Sequence, residues 1–215
     1  METTNIIWKP QTGPQTEFCA SDVFEVFYGG AAGGGKSDAL LVEGLRQVAH
    51  PDYRAILFRR TTPQLRRLVD RSQQIIRRAF PAAEFLESKL TWNFPSGAKL
   101  LLSHMEEEKD KFRHDGQEYQ YIGFDELTHF SASQYRYLYS RCRTSNAALK
   151  CYIRATGMPM GEGVSWVKRR FIDGGAYNII HDAESGLPRQ YIPSTLEDNK
   201  VLIEADPQYE ARLKL

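Results

Sequence analysis

Residues Gly30 to Ser37 read Gly-Ala-Ala-Gly-Gly-Gly-Lys-Ser and match the phosphate-binding pattern G-x-x-x-x-G-K-[ST] at every fixed position. Such a loop works between a strand and a helix. Its backbone N–H groups then converge on a phosphate, and the helix N-terminus adds partial positive charge. Both flanks comply: Val26-Phe27-Tyr28 favours a strand, and Asp38-Ala-Leu-Leu-Val-Glu-Gly-Leu favours a helix. Five glycines between Gly29 and Gly35 let the backbone close around a phosphate without side-chain interference. Gly30, Gly33, Gly34 and Gly35 are therefore the candidate backbone contacts, with Asp38 just beyond them. Lys36 is expected to reach the β- and γ-phosphates and the Ser37 hydroxyl to ligate Mg²⁺. The implied ligand is a nucleoside triphosphate, ATP with Mg²⁺. A glycine-rich turn that happens to precede Lys-Ser is the bland alternative, and it leaves the flanks unexplained.

The partner of such a loop is a carboxylate at the end of a second core strand, which holds Mg²⁺ through water. Tyr119-Gln-Tyr-Ile-Gly-Phe-Asp125-Glu126 supplies it: an apolar strand ending in Asp125, where parallel sheets place their ligands. Glu126 follows at once and suits a general base that polarises water against the γ-phosphate. A solvated acidic pair is the alternative for these two residues taken alone. Between Arg54 and Arg78 stand eight arginines against one acid, Asp70. They read either as a solvated helix face or as a contact surface for phosphate backbones. Arg59 and Arg60 directly follow a strand, which places them near the nucleotide. Lys168-Arg169-Arg170 is a smaller basic run without an evident use.

The elements around these residues read as α/β. Strands are expected at Glu25–Tyr28, Ala55–Phe58, Gln120–Phe124 and Cys151–Ala155, and helices at Asp38–Ala49, Pro63–Ala79 and Ser133–Arg141. That alternation predicts a mainly parallel central sheet flanked by helices. Lys89–Phe94 and Ala98–Ser103, joined by Pro-Ser-Gly, add an antiparallel hairpin. After Gly157 the pattern weakens. The organisation expected is a lead-in at 1–24, a core at 25–160 and a lid-like segment at 161–215.

At 215 residues the chain can bury one sizeable core. A net charge of +1 means that any surface for a polyanion must be local. Cys19, Cys142 and Cys151 form no C-x-x-C pair and suit reduced thiols of the cytoplasm. No signal peptide and no apolar run of membrane-spanning length is present, so a soluble protein without a membrane partner is expected.

With these residues placed, the chain resembles the large terminase subunit of tailed double-stranded DNA bacteriophages. The resemblance runs over essentially the whole chain. Pro10-Gln-Thr-Gly-Pro-Gln15 is similar to the family's adenine-recognising glutamine motif. Leu57-Phe-Arg59-Arg60 is similar to the segment after the second core strand, and Ile122-Gly-Phe-Asp125-Glu126 to the Walker B segment. Ser140-Arg141-Cys-Arg143 is similar to a Ser-Arg-x-Arg element. Ala155-Thr156-Gly157-Met158-Pro159 is similar to the coupling motif, whose Thr senses the γ-phosphate. Ser165–Phe171 and Tyr191–Asn199 look like downstream family segments.

The resemblance implies a P-loop NTPase of the RecA-like, additional-strand catalytic-glutamate type. It implies an ATPase that moves viral DNA into a procapsid in the host cytoplasm, transiently at the portal. The implied partners are double-stranded DNA, the portal protein, the small terminase subunit and further copies of the chain in a ring. Gln15 is expected to read the adenine edge, since its amide offers a donor and an acceptor; the alternative is a loop glutamine facing solvent. The loop Ala31-Ala32-Gly33-Gly34 carries no arginine, unlike many members, so the charge-neutralising arginine must come from elsewhere. Arg141, Arg143 and Arg113 are the candidates, acting across a subunit boundary, with Arg141 ranked first because it lies close in sequence to Glu126. A nuclease domain, which the family's subunits also carry, finds no room before Leu215, so an isolated ATPase domain is expected. A helicase-like translocase and an ATP-switched assembly protein with little turnover are the competing readings.

Overall fold

A computed structural model describes residues 6–31 and 35–213. Its centre is one nine-stranded sheet. In chain order the strands are β1 (Glu25–Gly30), β2 (Arg54–Arg59), β3 (Glu84–Leu86), β4 (Thr91–Asn93), β5 (Lys99–His104), β6 (Tyr121–Phe124), β7 (Tyr152–Gly157), β8 (Ile179–His181) and β9 (Pro188–Ser194). The spatial order is β3-β4-β5-β2-β6-β7-β1-β9-β8. The six strands from β5 to β9 run parallel, so all of them present their C-terminal ends along one edge. The expected hairpin is present as β4 and β5, and β5 continues the parallel sheet beside β2.

Alternation along the strands divides the core into two layers. Val26 and Tyr28 of β1, Ala55 and Leu57 of β2 and Tyr121 of β6 face one layer. Phe27, Ile56, Phe58, Ile122 and Phe124 face the other. Helices α1 (Pro14–Ala20), α2 (Lys36–Glu43) and α3 (Thr62–Ala79) cover the first layer. The second lies under α4 (Ala132–Tyr139), α5 (Val164–Val167) and the π-turn Lys168–Ile172 that continues α5.

Local chemistry sets these boundaries. Thr61 caps α3 by accepting from Gln64 N, and its buried stripe of Leu65, Leu68, Ile75 and Ile76 has helical spacing. Ser131 and Gln134 form a capping box at the start of α4. The regular part of α2 is shorter than the expected Asp38–Ala49. It closes at Gly44, where a Cβ would come within 3.1 Å of the Tyr121 ring, and i→i+3 turns carry the chain on to His50.

Two features differ from the expected organisation. Segment 161–215 is not only a lid, because β9 pairs along the whole of β1 and belongs to the parallel core. Two further short helices, α6 (Lys200–Ala205) and α7 (Tyr209–Leu213), follow it. The lead-in is likewise bound to the core. Arg154 on β7 is buried, pairs with Glu43 at 3.3 Å and donates to the carbonyls of Ser21, Val23 and Ile153.

Candidate functional site

The C-terminal edge of the sheet gathers the ends of β1, β2, β6, β7 and β9. Gly30 ends β1 with φ +143°, and a Cβ there would stand 1.9 Å from the Ser194 carbonyl oxygen of β9. Ala31 N donates to that same oxygen at 3.0 Å, so β9 fixes the point where the loop leaves the sheet. Gly35 re-enters regular structure in the left-handed region (φ +66°) as the N-cap of α2. Gly33 and Gly34 lie outside the described residues.

Lys36 is the first residue of α2 and is only 6% exposed. Its ammonium donates to the Ala31 carbonyl, across the loop it would share with a phosphate. Burial holds its pKa below the usual lysine value, partly offset by the carboxylates of Glu126 and Asp125. Both acids therefore lie close enough to act on this one cation.

Asp125 is the hub of the site. Its Oδ1 accepts from Ser37 Oγ at 3.0 Å and from Thr156 Oγ1 at 2.7 Å. Its Oδ2 lies 2.7 Å from Arg59 Nε, an ion pair whose angles are not those of a hydrogen bond. Three elements, α2, β7 and β2, thus meet on one buried carboxylate. Glu126 follows in the left-handed region (φ 60°, ψ 60°), a costly conformation for a side-chain-bearing residue. An extended backbone would send two consecutive side chains to opposite faces. The turn at Glu126 instead keeps both acids near Lys36, and Glu126 Oε2 accepts from Met158 N at 3.1 Å.

The remaining expected residues divide into two groups. Gln15 is buried beside the loop: its Nε2 donates to the Gly35 carbonyl at 2.8 Å and its Oε1 accepts from Gln11 N at 2.6 Å. Asp38 lies next to Ser37 and holds Arg71 in a bidentate pair at 2.8 and 2.5 Å. These belong to the site's surroundings. The three candidate arginines do not reach it. The Arg141 carbonyl accepts from Tyr119 N, and Arg143 N donates to the Tyr119 carbonyl, at the start of β6. Tyr119 precedes Asp125 by six residues, a strand length of about 20 Å. Closeness in sequence to Glu126 therefore does not bring Arg141 near its own chain's phosphates. Arg141 lies 3.6 Å from Asp115 and over the Tyr137 ring, Arg143 pairs with Glu118, and Arg113 pairs with Asp110 while 60% exposed.

Four groups that single-residue motifs did not mark also build the site: the Met158 amide, the Ser194 carbonyl, Gln11 and Asn199. Gln11 Nε2 donates to Asn199 Oδ1 at 2.8 Å and so ties the lead-in to the start of α6. Backbone groups carry no sequence signal, whereas Gln11 and Asn199 lie inside segments whose motif was legible.

For an NTP-bound magnesium ion the donor chemistry fits. The Ser37 hydroxyl and the Asp125 carboxylate are hard oxygen donors in mutual contact, and Asp125 Oδ2 is shielded without a hydrogen bond. Among the described residues no helix is long and apolar enough to cross a membrane.

Comparison with known proteins gives a consistent result. Residues 27–156 match the family described as terminase large subunit, T4-like-virus type, N-terminal. No match is found among curated proteins. The fold is similar to that of the large terminase of a thermophilic bacteriophage, with a TM-score of 0.73 at 16% identity over 96% of this chain. That alignment covers 50% of the phage protein, so the chain spans about half its length. Structures of the same phage protein with ATP-γ-S and with ADP also match. The large-terminase ATPase domain of Thermus phage P74-26 matches with a TM-score of 0.64 at 17% identity, covering 97% of this chain and 89% of that one. The N-terminal domain of the bacteriophage phi29 DNA-packaging ATPase matches with a TM-score of 0.56 at 16% identity, covering 83% and 94%. At these identities the structures establish the P-loop fold.

Proposed function

The chain belongs to the terminase large-subunit family, and from that premise we propose that it hydrolyses MgATP to drive viral double-stranded DNA into a procapsid. The observation that carries the reading is the Asp125 hub, where the loop serine, the strand-end threonine and Arg59 meet beside Glu126 and Lys36. ATP places its phosphates among the loop amides, and Lys36 exchanges the Ala31 carbonyl for them. Ser37 and Asp125 would hold the magnesium ion, which supplies charge neutralisation on the phosphate oxygens. Gln15 and Gln11 stand on the adenine side of the loop. Glu126 leaves the Met158 amide, orients a water on the γ-phosphate and takes its proton. Because Met158 and Thr156 lie at the end of β7, a change at Glu126 or Asp125 is felt directly by that strand.

Double-stranded DNA, the portal protein, the small terminase subunit and further copies of the chain are the partners in this reading. Phosphate release measured with and without duplex DNA, and with and without portal or small subunit, tests it. DNA-stimulated turnover supports the motor. Stimulation by single strands alone would favour a helicase-like translocase, and tight ATP binding without turnover under every condition would favour an assembly switch.

A further inference from the structure

Lys168-Arg169-Arg170 takes no part in the Asp125 hub, and the structure gives these three residues different tasks. Lys168 pairs with Asp173 at 2.5 Å. Arg170 is locked: two of its nitrogens meet the Glu25 carboxylate at 2.5 and 2.7 Å, a third contact reaches Asp182 at 3.1 Å, and the rings of Tyr135 and Tyr139 flank it. Arg169 is exposed, and its guanidinium bonds to no described residue.

Trp166, Arg169 and Arg170, at spacings of three and four, form one wall of a cleft of about 510 Å³. Ala132, Tyr135, Arg136 and Tyr139, one face of α4, form the other. Arg136 is exposed and, like Arg169, its guanidinium has no partner among the described residues. Two carboxylates line the cleft. Asp182 is neutralised by Arg170 and Arg189 at 3.1 and 2.9 Å, which leaves Glu184 against two free arginines. Tyr135 is 1% exposed, with its Oη beside the Glu25 carboxylate at the floor of the cleft.

We propose that this cleft grips backbone phosphates of duplex DNA, one at Arg136 and one at Arg169. The inference rests on the DNA-motor reading above. Planar guanidinium forks on facing walls suit phosphate oxygens, and phosphate contacts are indifferent to base sequence, as a packaging motor requires. Glu25 and Arg189 belong to the N-terminal ends of β1 and β9, so the cleft opens at the end of the sheet away from the phosphate loop and DNA does not compete with ATP. Arg66, Arg67 and Arg78 on α3 are exposed as well, but they stand on an open helix face and add a diffuse field.

The test is the affinity of the 215-residue chain for a labelled random-sequence duplex at several salt concentrations. Wild type is compared with an Arg136→Ala/Arg169→Ala double variant and an Arg136→Lys/Arg169→Lys double variant, with unfolding temperatures as the check on folding. Each lost phosphate contact removes about 0.9 from the slope of log affinity against log salt, so the alanine variant is expected to be shallower by about 1.8. Binding at low salt is expected to fall at least about tenfold, and the lysine variant to recover the slope. Unchanged slope and affinity in a folded alanine variant, with wild type binding normally, would overturn the cleft alone. Absence of wild-type binding at low salt would remove the motor reading and the cleft's occupant together. Loss of polyglutamate binding in the alanine variant, with duplex binding intact, would assign the cleft to an acidic protein partner and overturn the proposal.

Discussion

Lys36 and Glu126 lie close enough for the carboxylate to act on the ammonium, yet their losses should read out differently. Lys36 is buried and supplies the only cation among the described loop residues. Lys36→Ala is expected to weaken ATP binding and abolish hydrolysis together. Glu126 makes no hydrogen bond or ion pair with the described side chains of the hub. It holds the Met158 amide through one carboxylate oxygen, and a glutamine can accept the same hydrogen bond. Glu126→Gln should therefore keep MgATP affinity while turnover falls by about 10²-fold or more, the usual scale for a lost base. Equilibrium binding of a fluorescent ATP analogue beside single-turnover phosphate release separates the two cases. A matching loss of affinity in both variants would make Glu126 part of the ion's coordination. The Asp125–Glu126 pair was legible in the sequence because a strand-end acid after an apolar run has a defined place in a parallel sheet. What could not be read was the left-handed turn at Glu126, since glutamate itself has no preference for that conformation.

At the scale of elements, the strands and helices nearest the loop were legible from their apolar runs and caps, whereas β9 was not. Pro188-Arg-Gln-Tyr-Ile-Pro-Ser begins with proline, carries a second one and alternates weakly, so nothing in it announces a strand beside β1. Its place is set by tertiary pairing, and Gly30 is where that pairing presses hardest on the loop. Gly30→Ala should lower the melting temperature and ATP affinity together, because the new methyl meets the Ser194 carbonyl as well as an unfavourable φ. Gly186→Ala is the matched control: its φ is also positive, at +70°, but nothing stands within 4 Å of a Cβ there. The control should lose about 1 kcal/mol, or roughly 2–4 °C, and Gly30→Ala clearly more. Equal shifts in the two variants would show that β9 yields freely. The connection from β5 to β6 carries an acid-sensitive group of its own. His114 is buried against Phe58 and Tyr119, and burial, aided by Arg113 and opposed by Asp110, pushes its pKa down to about 4. The unfolded chain takes up that proton near pH 6.5 and the folded one only near 4. Stability is therefore full above pH 6.5 and drops as the pH falls through that window, by about 2 kcal/mol between pH 7 and 5. In His114→Phe, urea denaturation at the two pH values should show this part of the loss removed, even though the variant starts less stable.

For the whole molecule the open question is charge. The γ-phosphoryl group in transit needs a second cation beyond Lys36, and an arginine in that role is worth about 10³ to 10⁵ in rate. Arg59 is close but engaged with Asp125, and Arg141 and Arg143 stand at the far end of β6. Arg141 and Arg143 cannot serve their own chain from those positions without a large movement, and Arg113 is held by Asp110; service to a neighbouring copy is the arrangement to test. Exposure then reorders the three. Arg141 is 20% exposed and held by Asp115 and the Tyr137 ring, whereas Arg113 is 60% exposed but paired with the buried Asp110, and Arg143 is 49% exposed and paired with Glu118 at the surface. A solvent-exposed ion pair is worth under about 1 kcal/mol, so Arg143 is released at little cost, whereas releasing Arg113 leaves the buried Asp110 carboxylate to the Glu106 and Glu107 amides alone. Specific activity should accordingly rise steeply with protein concentration. Arg143→Ala and Glu126→Ala chains, each inactive alone, should recover turnover when mixed, because some interfaces pair an intact arginine with an intact base. The same mixture made with Arg141→Ala or Arg113→Ala identifies which guanidinium crosses the boundary. Activity independent of concentration, with no recovery in any mixture, would place the missing cation within the chain and make Arg59, released from Asp125 by the bound nucleotide, its strongest candidate.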